Sequence, residues 1–147
     1  MKNRLWLVAT LVWLIVIFLF TQLPYFTGEN TGKVINQTIT PGDETAPTTK
    51  EAAGISINLI IRKLAHFTVF GVLALLIWNC LKKYRFSYIL AWTLTFIYAV
   101  SDEWHQSFIP GREASFKDVL IDSLGALIVL SLVFIINNRR KRSVRTY

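Results

Sequence analysis

The sequence predicts an all-α polytopic membrane protein with four transmembrane helices and a polar cluster at their outer ends. Its 147 residues are 53% hydrophobic and 14% aromatic, which is too apolar for an ordinary soluble domain of this size. Four apolar segments are separated by polar stretches, and basic residues concentrate in the short flanks of these segments. Together the three observations favour a single membrane-embedded domain over a soluble fold.

The four apolar segments approach the roughly 20 residues that a helix needs to cross the hydrocarbon core. They run approximately over Leu5–Phe20, Leu64–Leu81, Phe86–Val100 and Val119–Ile136. The third segment reaches the required length if residues 101–108 continue it. We divide the chain into a first transmembrane helix (1–26), a polar extracytoplasmic loop (27–58), a core with three transmembrane helices (59–137) and a basic cytoplasmic tail (138–147).

The first segment could be a signal peptide, because Lys2 and Arg4 precede its apolar run. Residues 21–26 lack the small-x-small pattern that a signal peptidase prefers, so we interpret the segment as a retained helix. Residues 27–58 are polar and rich in Thr, Gly and Pro, which is typical of a loop. Within them, Ile55–Ile61 is a short amphipathic lead-in to the second helix.

Basic residues in the short flanks predict the orientation. Lys2 and Arg4, the run Lys82–Arg85 and the tail after Arg139 share one side of a four-helix topology, which places both termini in the cytoplasm. The same placement explains the net charge of +7 as a membrane flank, so we expect no nucleic acid partner. Cys80 is the only cysteine, which excludes an internal disulfide and a cysteine-based zinc site.

Polar and ionisable residues gather at the predicted outer ends of three helices. The second helix supplies Arg62, Lys63 and His66, the third Asp102, Glu103, His105 and Gln106, and the fourth Asp118 and Asp122. Ionisable groups at membrane depth are expensive and tend to be functional. The topology places all three clusters at one membrane level, so we expect them to form one site.

Three kinds of chemistry fit these residue types. As candidate catalytic residues, Asp102 or Asp122 could orient His66 or His105 as a general acid or base. As candidate ligand-binding residues, Arg62, Lys63 and Arg112 could hold an anion, and this set is completed by Glu103 and Gln106.

A metal site built on His66, His105 and a carboxylate is the third reading. The spacings of known metallohydrolase motifs are absent, so we expect neither a metal nor a cofactor. A purely structural reading also stays open, in which the cluster only clamps helix ends together. Ser115 and Asp118 have the spacing of a capping box at the start of the fourth helix.

The ordered motifs of residues 62–67, 101–106, 110–112 and 118–126 strongly resemble the VanZ-like family of bacterial membrane proteins. The family's motif residues match Lys63, His66, Phe67, Asp102, Glu103, His105, Gln106, Arg112, Asp118 and Gly125. The resemblance implies a small multi-pass protein of the bacterial plasma membrane. The family's founding member is associated with low-level resistance to the glycopeptide teicoplanin, so the resemblance implies a phenotype class and not a reaction.

We therefore expect a cell-envelope protein that affects glycopeptide susceptibility by binding or modifying an anionic lipid or cell-wall precursor at the outer leaflet. The alternative is a non-catalytic membrane assembly or binding protein whose polar network only sets helix packing. Expected partners are membrane lipids and such an anionic lipid or precursor. A homo-oligomer is the form in which a transport path could arise.

Overall fold

The computed structural model describes residues 2–22, 49–109 and 115–144, which are helical apart from short turns. The helices are α1 (Lys2–Gln22), α2 (Thr49–Leu81), α3 (Ser87–Gln106) and α4 (Phe116–Val144). These residues include no β-strand. The prediction of an all-α chain with four helices is therefore confirmed.

Two helix boundaries bear on the sequence expectations. α3 runs through to Gln106, as expected if residues 101–106 continue the third apolar segment. α2 begins at Thr49, so residues 49–54 are helical where we expected loop, and the lead-in expected at Ile55–Ile61 is part of the same helix. The Lys-Glu-Ala-Ala run that follows Thr49 consists of good helix formers, and no proline separates it from the apolar segment. Residues 27–48 of the predicted loop lie outside the described residues.

By length and composition, two of the described helices qualify as membrane-spanning. Their apolar spans are Ile60–Leu81 in α2 and Phe116–Ser143 in α4. The apolar part of α1, Arg4–Phe20, is shorter, and α3 ends in a polar turn that contains Asp102 and Glu103. Among the described residues, the second and fourth helices are thus the ones whose apolar stretches are long enough to cross a membrane.

The helices pack as an antiparallel bundle in which α2 contacts the other three. One apolar core lies towards the end that holds His66 and Asp122, which we name the polar end. A second core, made of Ala74, Ala91, Ala126 and Leu130, lies towards the opposite end. We name that end, which holds Lys82, Arg85 and residues 139–142, the basic end. The alanines of the second core allow the helix backbones to approach closely.

α1 packs mainly against α2, with Ile17 in the apolar core and a few polar contacts beside it. The Trp13 indole donates to the Val69 carbonyl oxygen over 3.1 Å, and Thr10 Oγ1 lies 3.6 Å from Cys80 Sγ. From α3, the Tyr98 hydroxyl donates to the Leu14 carbonyl oxygen over 3.0 Å. Most apolar side chains of α1 are exposed, as expected for a helix that faces lipid on most sides.

Candidate functional site

Two glycines bring α2 and α4 into close contact beneath the polar cluster. A Cβ atom at Gly125 would overlap the carbonyl oxygen of Phe67, and one at Gly71 would lie 2.8 Å from Val129 Cγ2. Only glycine fits at position 125, where the neighbouring atom is backbone, whereas at position 71 a larger residue would require the Val129 side chain to shift. Because His66 directly precedes Phe67 and Asp122 lies one turn before Gly125, the crossing sets the distance between these two side chains.

His66 and Asp122 form the deepest polar pair of the cluster. The ring nitrogen Nδ1 of His66 lies 3.4 Å from Oδ2 and 3.4 Å from Oδ1 of Asp122. The Asp122 side chain is 2% exposed and that of His66 is 20% exposed. Within the described part of the chain, Oδ1 has no hydrogen-bond partner. A buried carboxylate against a half-buried imidazole is the arrangement that orients a histidine for proton transfer.

A second set of charged side chains lies one helical turn from the His66–Asp122 pair, towards the ends of the helices. Asp118 Oδ1 is 3.4 Å from Lys63 Nζ, and Asp118 Oδ2 is 3.7 Å from a guanidinium nitrogen of Arg62. Both basic side chains are more than a third exposed. The two cations therefore form a solvent-facing rim, and a single carboxylate is shared between them.

α3 closes the cluster with three side chains that are each 6% exposed. The Gln106 amide donates to Asp102 Oδ2 over 2.7 Å. Glu103 accepts a hydrogen bond from the backbone N–H of Ser115, at the start of α4. In the predicted capping box, the backbone N–H of Ser115 would donate to the Asp118 carboxylate. It donates to Glu103 instead, so that prediction is wrong. The Asp118 carboxylate instead joins the rim cations.

An aromatic floor lies directly under the pair. The Phe70 ring centroid is 6.2 Å from that of His66 and 6.1 Å from that of Tyr98. Phe70 is buried, and Tyr98 is half-buried. Sequence reasoning did not select Tyr98 as part of the site. Its position one turn before Asp102 on the same face of α3 is a signal that could have identified it.

His105 lies on the side of α3 that faces α1. Its ring centroid is 5.3 Å from that of Phe18. The remaining predicted residues of α2, α3 and α4 meet at the polar end, while Arg112 lies outside the described residues. No group of metal-ligating side chains suited to an ion occurs among the residues that the structure describes. Of the pairings considered from the sequence, the geometry brings together His66 and Asp122.

Fold and site define a class of protein: an all-helical chain with membrane-length helices that enclose an acid–base cluster at one end. The chain belongs to the VanZ/LLP1 family, whose model matches residues 6–137. The resemblance inferred from the motifs is thereby confirmed. No curated protein and no solved structure matches the chain.

Proposed function

We propose that this protein is a multi-pass protein of the bacterial plasma membrane that affects glycopeptide susceptibility by binding or modifying an anionic lipid or cell-wall precursor. In this proposal all four helices cross the bilayer and both termini are cytoplasmic. α1 has 21 residues and α3 has 20, and at 1.5 Å per residue a helix of this length matches the roughly 30 Å hydrocarbon core. The polar end then faces the outer leaflet.

The single observation that carries the proposal is the His66–Asp122 pair, buried at the crossing of two membrane-length helices. Burying a carboxylate at this depth costs free energy, because the group loses most of its hydration. Such residues usually mark a functional site. Asp122 would orient the imidazole, and His66 would take or give a proton on a ligand that enters from the rim.

The rim supplies the affinity for an anion in this scheme. Arg62 and Lys63 both pair with one carboxylate, that of Asp118, and they are the cations of the cluster that face solvent. Because both side chains are partly exposed, a phosphate or carboxylate can approach them from solvent. Arg112 would add a third cation to this set.

The second candidate is a non-catalytic assembly or binding protein. It is favoured by the number of hydrogen bonds that the cluster forms within itself, notably Gln106 to Asp102 and Ser115 to Glu103. Such a network fixes helix packing without any ligand. In this case substitutions would lower protein abundance and phenotype together.

The test is teicoplanin and vancomycin susceptibility of a sensitive Gram-positive host that expresses wild type or variants at blotted, equal abundance. We expect wild type to protect and His66→Gln, Asp122→Asn and Lys63→Gln to lose protection. Lys117→Gln is the matched control for Lys63→Gln, because Lys117 is an exposed lysine near the start of α4.

Equal protection by wild type and all variants would contradict a functional polar end. Loss of protection only in step with loss of abundance would favour the assembly protein. Asp102→Asn separates the effect of the charge from that of the hydrogen bond. It removes the charge but keeps an oxygen that can accept the hydrogen bond from Gln106.

A further inference from the structure

A groove between α3 and α4 lies in the half of the bundle nearer the basic end, apart from the polar cluster. It has a volume of about 440 Å³. Its walls include Ile89 and Trp92 of α3 and Leu127, Ser131 and Phe134 of α4, with Leu130 buried at the floor. The groove from Leu127 to Ile135 is about 12 Å long, close to half of the roughly 30 Å hydrocarbon core. That length fits one acyl chain of one leaflet.

The end of the groove nearest the basic residues is polar. The Asn137 amide donates to the Tyr88 hydroxyl over 3.2 Å, which joins α3 to α4 at this point. Lys141 lies seven residues after Phe134, and therefore two turns further along the same face of α4. Arg85 precedes Tyr88 by three residues, and its guanidinium lies over the Phe86 ring.

The charge at this end has one sign. All nine acidic residues of the chain lie between Glu29 and Asp122, and none occurs in residues 82–101 or after Asp122. Arg85 and Lys141 are both exposed. The groove therefore offers an apolar surface about as long as one leaflet is deep, with exposed cations at its end. These two features match the acyl chain and the phosphate of an anionic phospholipid.

We propose that the α3–α4 groove holds an acyl chain of an anionic phospholipid whose phosphate is bound by Arg85 and Lys141. The chain lies against Trp92, Leu127 and Leu130, and the phosphate lies beyond the Tyr88–Asn137 bond. This site is independent of the function proposed for the polar end. It uses different residues and takes a lipid from the opposite leaflet.

The test uses the full-length protein in nanodiscs of phosphatidylcholine with increasing phosphatidylglycerol. Quenching of tryptophan fluorescence by brominated forms of each lipid gives their relative binding constant. Because Trp92 lines the groove, Trp92→Phe isolates its share of the signal. We expect the quenching of wild type to favour brominated phosphatidylglycerol, and the difference between wild type and Trp92→Phe to carry most of that preference.

Two neighbouring basic residues provide a matched pair of variants. Lys141→Gln removes a charge on the groove face, and we expect it to lower the preference about fivefold, the usual effect of one basic residue near an anionic surface. Arg140 is displaced from Lys141 by about 100° around the axis of α4, which takes it off the face that lines the groove. We expect Arg140→Gln to leave the preference unchanged.

Ser131→Phe fills the groove without changing any charge. Ser131 is exposed, so the substitution is compatible with folding, which an unchanged thermal unfolding midpoint would verify. We expect it to abolish the preference. Equal losses in Arg140→Gln and Lys141→Gln would overturn the proposal in favour of general surface electrostatics. A groove filled by a second copy would also overturn it, and would appear as a dimer that Ser131→Phe dissociates.

Discussion

The polar end and the basic end of the bundle hold their ionisable residues in opposite ways. At the polar end, acids and bases from different helices pair with one another, and Asp122 is almost completely buried. At the basic end the charges have one sign and are exposed, and Lys82 lies over the rings of Trp6 and Trp78, 5.8 Å from each centroid. The ion pairs of the polar end therefore require fixed distances between the helices. The exposed charges of the basic end do not.

Charged residues therefore have two different roles in this apolar protein. Exposed basic residues at helix flanks determine orientation and interact with lipid headgroups. Buried acid–base pairs contribute little net stability, but breaking one leaves an uncompensated charge. Substitutions at the polar end should accordingly have larger effects than substitutions at the basic end.

The largest effect is expected for Gly125→Ala. The new Cβ would overlap the Phe67 backbone, so α2 and α4 must separate, at about 1–3 kcal/mol of unfolding free energy. The measurement is thermal unfolding in detergent, together with the glycopeptide assay. Leu124→Ala, at the adjacent exposed position, is the control and should change the midpoint far less.

Gly71→Ala offers an internal comparison. Its Cβ would meet the side chain of Val129 rather than backbone, so the cost should be smaller and Val129→Ala should relieve it. The same Val129→Ala change should not rescue Gly125→Ala. Rescue of both variants would mean that side-chain crowding, and not backbone contact, limits the crossing.

The next effect concerns the coupling between His66 and Asp122. A double-mutant cycle with His66→Gln and Asp122→Asn should give an interaction free energy of about 1 kcal/mol, because the two side chains are in direct contact. Denaturant unfolding in micelles measures each corner of the cycle. Additive effects of the two substitutions would show that the pair is not coupled and would weaken its proposed role.

An effect of at most this size is expected at the basic end for Lys82→Gln. The substitution removes two cation–π contacts, together worth about 1 kcal/mol at an exposed site. Lys83→Gln removes the same charge from the adjacent exposed residue and should leave the unfolding midpoint unchanged. A similar loss in both variants would assign the effect to net charge instead of ring contact.

The smallest effect on stability is expected for Arg62→Gln. Its ion pair with Asp118 is long and partly solvated, so its loss should change the unfolding free energy by no more than about 0.5 kcal/mol, and less at high salt. If the rim holds an anion, the same variant should nonetheless reduce protection against teicoplanin. A large destabilisation would indicate that the rim serves mainly to hold α2 and α4 together.

The sequence predicted the four helices because apolar length and flanking charge are local properties of the chain. It missed the beginning of α2, since residues 49–54 directly follow a stretch rich in Thr, Gly and Pro and yet contain good helix formers. Convergence of the site residues at the polar end also followed from topology, because antiparallel helices bring alternate termini together. Topology alone could not predict which of these residues contact one another.

Pairing depends on the rotation of each helix about its axis, and packing sets that rotation. The Gly71–Gly125 crossing turns His66 towards Asp122. His105 and Gln106 differ by one position, and this is enough to direct the first towards α1 and the second towards Asp102. The hydrogen bond from Ser115 to Glu103 joins the start of α4 to α3, so no periodicity within one helix could have predicted it.

The manner in which α1 is attached implies an order of assembly during biosynthesis. α1 precedes α2 and α3 in the chain, and its partner groups on Val69, Cys80 and Tyr98 belong to these later helices. A helix that inserts independently and associates afterwards follows the two-stage route of membrane protein folding. If all four helices cross the bilayer as proposed, α1 can pack against α2 and α3 only after these two helices have been inserted, and the Gly71–Gly125 crossing forms without any contact from α1.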